Sequence, residues 1–329
     1  MKEVPVRLAR GLLRYLMLAM LGWPLAAFAQ ANYPTRPIRW IVPFPPGGST
    51  TIIARLTGQK LTERWGQQVV VDNRGGGNTI IGSEALVRAA PDGYTVLQVT
   101  STHVINPSLI PTPYDAIKDF APIATLVATE TLMVVHPSVP AANLQEFIAL
   151  AKSKPGQINF GSSGTATTNH LTAELLCIVA GIRMTHVPYK GAGPATTDLM
   201  GGQIQMFMNN ALPLIPLVKA GKMRAIAISG EKRLRSLPDV PTFTESGVPG
   251  YDVKSWQGLL APARTPQPII DKFSREIADI VRTPEFTDTL LTLGAEPLVS
   301  SPQQFAELIK VDLARYAKLI KRANIKIEQ

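Results

Sequence analysis

Cysteine is almost absent from the 329-residue sequence, which contains Cys177 alone and therefore cannot form an intramolecular disulfide. Cys177 lies in the apolar run LLCIV, where a free cysteine packs as a small hydrophobic residue. The four histidines are far apart and lack the H-E-x-x-H or C-x-x-C spacing of a zinc site. We therefore predict no metal ion and no cofactor.

Two catalytic motifs are missing as well. The glycine-containing turn at residues 47–51 lacks the lysine that a phosphate-binding P-loop requires. The segment FGSSGT differs by one residue from the spacing of the G-x-S-x-G nucleophile elbow. These absences favour a binding protein over an enzyme, although a two-domain α/β architecture can also support catalysis.

Long apolar runs are scarce, and the most apolar segment is at the N-terminus. Four basic residues precede the run YLMLAMLGWPLAAF, which ends in the small-residue pattern Ala27-Phe28-Ala29. The run contains Pro24 and is shorter than the roughly 20 apolar residues of a transmembrane helix. Residues 1–29 are therefore interpreted as a cleaved secretory signal peptide. We expect an exported protein without stable membrane insertion.

Acidic residues are fewer than basic ones, 24 against 33, and the formal charge is +9. Removing the four basic residues and one acidic residue of the signal peptide lowers this charge to +6. A moderately basic surface can attract small anions. The sequence has no stripe of basic residues with interleaved aromatics, and the protein is exported, so we predict no nucleic-acid partner.

Apolar segments typical of buried strands alternate with segments of helical period, which predicts βαβ units and an α/β fold. Asn143 with Glu146 is typical of a helix N-terminus, as is Ser301 followed by Pro302. About 300 mature residues suggest two domains. The predicted strands are Ile38–Val42, Val69–Val71, Thr95–Val99, Leu132–Val135, Ile158–Phe160, Ile204–Met208 and Arg224–Ile228.

Glycine, serine and threonine are concentrated in loops that follow predicted strands. The loops are PFPPGGSTT after Val42, TSTHVINPS after Val99, with Ser101 and Thr102, and NFGSSGTATTNHL, which leads into a helical pattern. In parallel sheets, ligands bind at the carboxyl ends of strands, and helix N-termini favour anions. The loops are therefore a predicted anion site. The alternative is that these residues are only turns and helix caps.

Seven sequence blocks resemble one family: VPFPPGGSTTIIARL, AAPDGYTVL, GSSGTATTNHL, HVPYKGAGPATTDLMGGQIQ, VKAGKMRAIAISGEKR, LPDVPTFTESGVPGY and GLLAPARTPQPIIDKF. They resemble the extracytoplasmic solute receptors of tripartite tricarboxylate transporters, the Bug family, over essentially the whole mature chain. The resemblance implies a periplasmic binding protein of the type II fold, with two lobes that are each a mainly parallel sheet flanked by helices and are joined by crossing strands. It also implies a small carboxylate ligand, membrane transporter partners and no catalysis.

The resemblance also implies which residues bind the ligand carboxylate, through backbone N–H groups and hydroxyls of two opposing loops. The first loop is Phe44, Pro45, Gly47, Gly48, Ser49, Thr50 and Thr51. The opposing loop is Gly161, Ser162, Ser163, Gly164, Thr167, Thr168 and His170. His170 is interpreted as a ligand donor or gate, or as a hydrogen-bonded residue of the helix start.

Two positions depart from the family pattern. Relatives often carry aspartate where this sequence has Thr51, and also where it has Asn209, before Asn210. Both changes remove a negative charge that could pair with a ligand ammonium. They favour a mono- or dicarboxylate, or a ligand with a neutral distal group, over an amino acid, unless these positions only cap helices or line the wall.

We predict two lobes, the second of which is inserted into the sequence of the first. Residues 30–128 and 230–329 form the first lobe, and residues 129–229 are inserted as the second. We expect a monomer. A sensor subunit that presents the bound anion to a signalling partner, or an enzyme, remains an alternative to the transport receptor.

Overall fold

The computed structural model describes residues 33–249, 251 and 254–322. The predicted signal peptide, residues 1–29, lies outside the described residues. Among the described residues, no helix combines the length and the apolar character needed to cross a membrane.

Strands and helices alternate along the chain, which confirms the α/β prediction. The strands are β1 Ile38–Val42, β2 Val69–Asn73, β3 Thr95–Thr100, β4 Phe120–Val135, β5 Asn159–Ser162, β6 Thr185–Pro188, β7 Met206–Asn210, β8 Arg224–Ile228, β9 Lys254–Pro262 and β10 Ala295–Pro297. The helices are α1 Ser49–Trp65, α2 Ile80–Val87, α3 Thr102–Ile105, α4 Leu144–Ser153, α5 Thr168–Ala180, α6 Ala192–Met200, α7 Ala211–Lys219, α8 Gln267–Val281, α9 Pro284–Thr292 and α10 Pro302–Arg322.

The long strand β4 belongs to two sheets. Its residues up to Glu130 pair with β9 and β10, and β9 continues to β3, β1 and β2; we call this the first half-sheet. From Thr131 onward β4 pairs with β7 and β8, and β7 continues to β5 and β6; this is the second half-sheet. The outer strands pair in parallel, whereas every strand next to β4 is antiparallel to it.

The division into two lobes at residues 129 and 229 stays a prediction. The feature that supports it is the change of partners along β4, which occurs between Glu130 and Thr131. The chain leaves the second half-sheet at the end of β8, Ile228, and returns to the first half-sheet in β9. The chain therefore passes between the half-sheets twice, first within β4 and again after β8.

Apolar side chains cover both faces of each half-sheet, and some of them pack between the two half-sheets. Trp40 of β1 and Phe273 of α8 are fully buried in the core of the first half-sheet, and Phe160 of β5 is fully buried in the second. Leu171 of α5 and Leu212 of α7, which follow strands of the second half-sheet, pack into clusters of the first. The half-sheets are therefore in contact, with loops from each facing the other.

Candidate functional site

A cleft lies where the loops of the two half-sheets meet. The space between its protein atoms is about 530 Å³, including the part open to solvent. Its lining is Phe44, Pro45, Gly48, Ser49, Thr50, Thr100, Thr102, Thr131, Ser163, Thr167, Thr168, Asn169, Ala192, Asn209, Asn210 and Ser255. Within this lining, no side chain is ionisable, and hydroxyl and amide groups supply the polarity.

Two helices begin at the cleft from opposite sides. Helix α1 starts after the N-cap Gly48, which has no side chain to cap it, and α5 starts after Thr167, whose side chain makes no cap hydrogen bond. The first-turn N–H groups of a helix have no partner within the helix, and the helix dipole places partial positive charge there. The cleft is therefore suited to an anion, although its lining contains no cationic side chain.

Hydrogen bonds connect the two sides of the cleft. The Thr168 backbone N–H donates to Thr102 Oγ1 over 3.3 Å, and the two hydroxyl oxygens are 3.2 Å apart. Asn210 Nδ2 donates to Ser49 Oγ over 2.8 Å. These contacts join α3 and α1 of the first half-sheet to α5 and β7 of the second, so the described conformation is closed around the cleft.

Seven predicted site residues are not part of the cleft lining. They are Gly47, Thr51, Ser101, Gly161, Ser162, Gly164 and His170. Thr51 is 3% exposed, and its Oγ1 accepts a hydrogen bond from Asn73 over 2.8 Å. Ser101 Oγ accepts from the backbone N–H of Trp256 over 3.2 Å. Thr51 and Ser101 thus hold the loops and do not face the cleft.

His170 belongs to a pair of stacked imidazoles that supports the second loop. Its ring lies 3.9 Å from that of His186, and its Nδ1 accepts a hydrogen bond from Ala166 over 3.2 Å. His186 Nε2 is 2.6 Å from Ser162 Oγ, which in turn contacts Gly164. Burial, with the neighbouring His186, lowers the pKa of His170 to about 3, and burial lowers the pKa of His186 to about 4. Both rings are neutral at pH 7 and add no positive charge.

Five lining residues were not predicted from the sequence: Thr100, Thr131, Asn169, Ala192 and Ser255. Thr100 and Asn169 adjoin predicted residues, so a wider reading of the same loops would have included them. Thr131 and Ser255 lie within β4 and β9, where no loop motif marks them. Asn209 does line the cleft; it is 7% exposed, and its Nδ2 has no acceptor among the described residues.

The described part of the chain contains no group of three or more His, Cys, Asp or Glu side chains that could hold a metal ion. Cys177 is half-buried, and burial raises the pKa of its thiol to about 12. This thiol is therefore unreactive at neutral pH.

Comparisons with known proteins identify the family. Residues 53–325 match the family described as tripartite tricarboxylate transporter family receptor. The chain is 33% identical to protein BugT of Bordetella pertussis over 300 residues, covering 90% of this chain and 92% of BugT.

Two solved structures have the same fold. The periplasmic binding protein BugD is 32% identical, with a TM-score of 0.86 and coverage of 90% of this chain and 100% of BugD. R. palustris Rpa4515 with adipate is 33% identical, with a TM-score of 0.87 and coverage of 89% of this chain and 99% of Rpa4515. These relatives are solute-binding proteins and not enzymes. The chain belongs to the tripartite tricarboxylate transporter receptors, the Bug family of solute-binding proteins.

Proposed function

We propose that the protein binds a small carboxylate in the cleft and delivers it to the membrane components of a tripartite tricarboxylate transporter. The observation that carries the proposal is the meeting of two helix N-termini whose N-cap residues, Gly48 and Thr167, make no side-chain cap hydrogen bond, in a cleft lined by hydroxyl and amide groups. Charge-assisted hydrogen bonds contribute roughly 1.5–3 kcal/mol each. Three or four of them, less the cost of closing, support a micromolar complex at about −8 kcal/mol.

The relatives support the same ligand class and partner. Rpa4515 has been solved with adipate, a dicarboxylate, and the family is one of transporter receptors. We infer that residues 1–29 direct export and that the mature chain acts in the periplasm as a monomer. The half-sheets then act as two lobes, residues 30–128 with 230–329 and residues 129–229, that close on the ligand.

The part of the ligand distant from the bound carboxylate is proposed to carry a hydrogen-bond acceptor rather than an ammonium. Asn209 presents an uncharged amide to the cleft, and its Nδ2 lacks an acceptor among the described residues. An oxygen of a second carboxylate, a carbonyl or a hydroxyl would supply one. Thr51 does not contribute to this selection because its side chain lies behind the cleft.

A thermal-shift panel tests the proposal. The panel contains mono-, di- and hydroxycarboxylates, amino acids, sugars and amines, each at saturating concentration. We expect carboxylates to raise the melting temperature, since a ligand at 100 times its Kd stabilises the folded state by about 2.7 kcal/mol. Amino acids should rank below dicarboxylates of equal length. A panel in which carboxylates have no effect and another class stabilises the protein would contradict the proposal.

A further inference from the structure

A chain of buried hydrogen bonds connects the core of the first half-sheet to the cleft. Trp40 Nε1 donates to Gln98 Oε1 over 3.0 Å, and Gln98 Nε2 donates to Gln257 Oε1 over 2.7 Å. Gln257 Nε2 then donates to Ser49 Oγ over 3.1 Å. Trp40, Gln98 and Gln257 are fully buried, and Ser49 is 5% exposed. We call these four side chains the relay.

The chemistry of the indole sets the direction of the relay. An indole N–H can only donate, so the oxygen of the Gln98 amide must face Trp40. The Gln98 NH₂ group then faces Gln257 and requires an oxygen there, which turns the Gln257 NH₂ group towards Ser49. Reversing either amide would place two donors or two acceptors against each other in the core, where water cannot compensate.

The relay determines which hydrogen bond remains for Ser49 to make. Its Oγ accepts from Gln257 and also from Asn210 Nδ2, which lies 2.8 Å away in the second half-sheet. A serine hydroxyl has two acceptor lone pairs and one hydrogen. With the NH₂ groups of Gln257 and Asn210 both facing Ser49, both lone pairs are used, and the hydrogen has no acceptor among the residues that the structure describes. Ser49 lines the cleft as the first residue of α1.

We propose that the relay commits the Ser49 hydroxyl to donate to an anionic oxygen of the ligand, which makes Trp40, Gln98 and Gln257 positioning residues for binding. The proposal rests on the proposed carboxylate function and adds that residues without access to the cleft control one of its donors. Since Asn210 is on the opposite half-sheet, the arrangement is complete only in the closed conformation. A ligand ammonium at this position would face a donor and be rejected.

A double-mutant cycle between Ser49 and Gln98 tests the proposal. The probes are acetate, butyrate, malate and adipate, and Kd is measured by calorimetry for the tightest of them. Ser49→Ala removes the donor and should weaken binding at least tenfold. Gln98→Met has similar length without polar atoms; it releases the Gln257 amide to turn its oxygen towards Ser49 and capture the hydrogen. We expect the Gln98→Met substitution to weaken binding at least threefold in the wild-type background and by less than 1.5-fold in the Ser49→Ala background.

Two further variants separate positioning from general destabilisation. Trp40→Phe keeps an aromatic ring but removes the indole donor, and it should weaken binding as Gln98→Met does; it also serves if Gln98→Met fails to fold. Thr125→Val is the control outside the relay. Thr125, in β4, is also polar and fully buried, and its hydroxyl has no partner in the described chain, so this variant should leave Kd unchanged.

The outcomes distinguish this inference from the proposed function. Equal losses for Gln98→Met in the wild-type and Ser49→Ala backgrounds would show a merely structural role and overturn the inference. Wild-type affinity in both Gln98→Met and Trp40→Phe would overturn it as well, while carboxylate binding stands. If the wild type binds none of the four acids and carboxylates fail in the thermal-shift panel, the proposed function is overturned and the inference with it.

Discussion

At the scale of single residues, two adjacent glycines of the first loop have different roles. Gly47 has a φ of +96°, in the left-handed region that favours glycine. Gly48 has a φ of −87°, which any residue adopts, and a Cβ there would meet nothing closer than Thr50 Oγ1 at 3.9 Å. A side chain at position 48 therefore enters the cleft at the start of α1 without straining the backbone.

The Gly48→Asp substitution should place a side-chain carboxylate where we expect the ligand carboxylate to bind. Aspartate at an N-cap accepts from first-turn N–H groups, so we expect the ligand-free protein to gain roughly 0.5–1 kcal/mol in free energy of unfolding. Ligand affinity should fall at least tenfold, which is about 1.4 kcal/mol. Gly48→Ala is the control, since it cannot cap and should keep Kd within about threefold. Wild-type affinity in the aspartate variant would exclude this helix end as the carboxylate site.

At the scale of elements, loops of the two half-sheets approach each other through glycines. A Cβ on Gly191, which precedes α6, would lie 2.8 Å from Pro45 Cδ in the first loop. A Cβ on Gly164, in the loop after β5, would lie 2.7 Å from Asn78 Oδ1. Contacts of this length are too short for a side-chain carbon, so the closed conformation depends on the absence of side chains at these positions.

Gly191→Ala should impair closure more than folding. Gly191 has a φ of +135°, so alanine also strains the backbone, at a cost of roughly 1–3 kcal/mol. Gly156→Ala is the matched control, because Gly156 also has a positive φ, +75°, but its Cβ would meet no atom within 4 Å. Urea unfolding should show destabilisation of both variants, whereas calorimetry should show at least a tenfold loss of affinity for Gly191→Ala alone. Equal affinities in the two variants would contradict a role for this contact in closure.

At the scale of the whole molecule, buried histidines link stability to pH. Burial lowers the pKa of His103 to about 4, that of His170 to about 3 and that of His186 to about 4. In an unfolded chain the pKa of histidine is about 6.5. Below that pH the unfolded chain binds protons that the folded protein does not, so the free energy of unfolding decreases as the pH falls from about 6.5 towards 4.

We expect urea unfolding to give the highest stability at pH 7.5, a slightly lower stability at pH 6.8 and a much lower stability at pH 5.0. Burial raises the pKa of Glu174, which by itself would increase the stability as the pH falls. The three histidines outweigh this single carboxyl group. His186→Gln keeps a polar partner for Ser162 without titrating, so its loss of stability between pH 6.8 and 5.0 should be smaller than that of the wild type. An identical loss in the variant would show that the pKa of His186 is the same in the folded and unfolded protein.

The sequence by itself predicted seven of the ten strands that the structure describes and the loops that carry the candidate site; it missed β6, β9, β10 and the first part of β4. Strand and helix patterns, and the glycine and hydroxyl residues after β1 and β5, are local features encoded within a few neighbouring residues. The α/β fold and the family are confirmed, and most of the predicted loop residues line the cleft. The functional use of these residues stays a proposal.

The tertiary structure alone decided which side chains of those loops face the cleft and which hold it in place. Gln98 and Gln257 are 159 residues apart, and their hydrogen bond exists because β3 and β9 pair in one register. Likewise, His170 is not part of the cleft lining, and its ring stacks on that of His186 in β6, a residue 16 positions further along the chain. Such contacts depend on sheet register and helix packing, which join segments distant in sequence, and no local pattern at either partner specifies them.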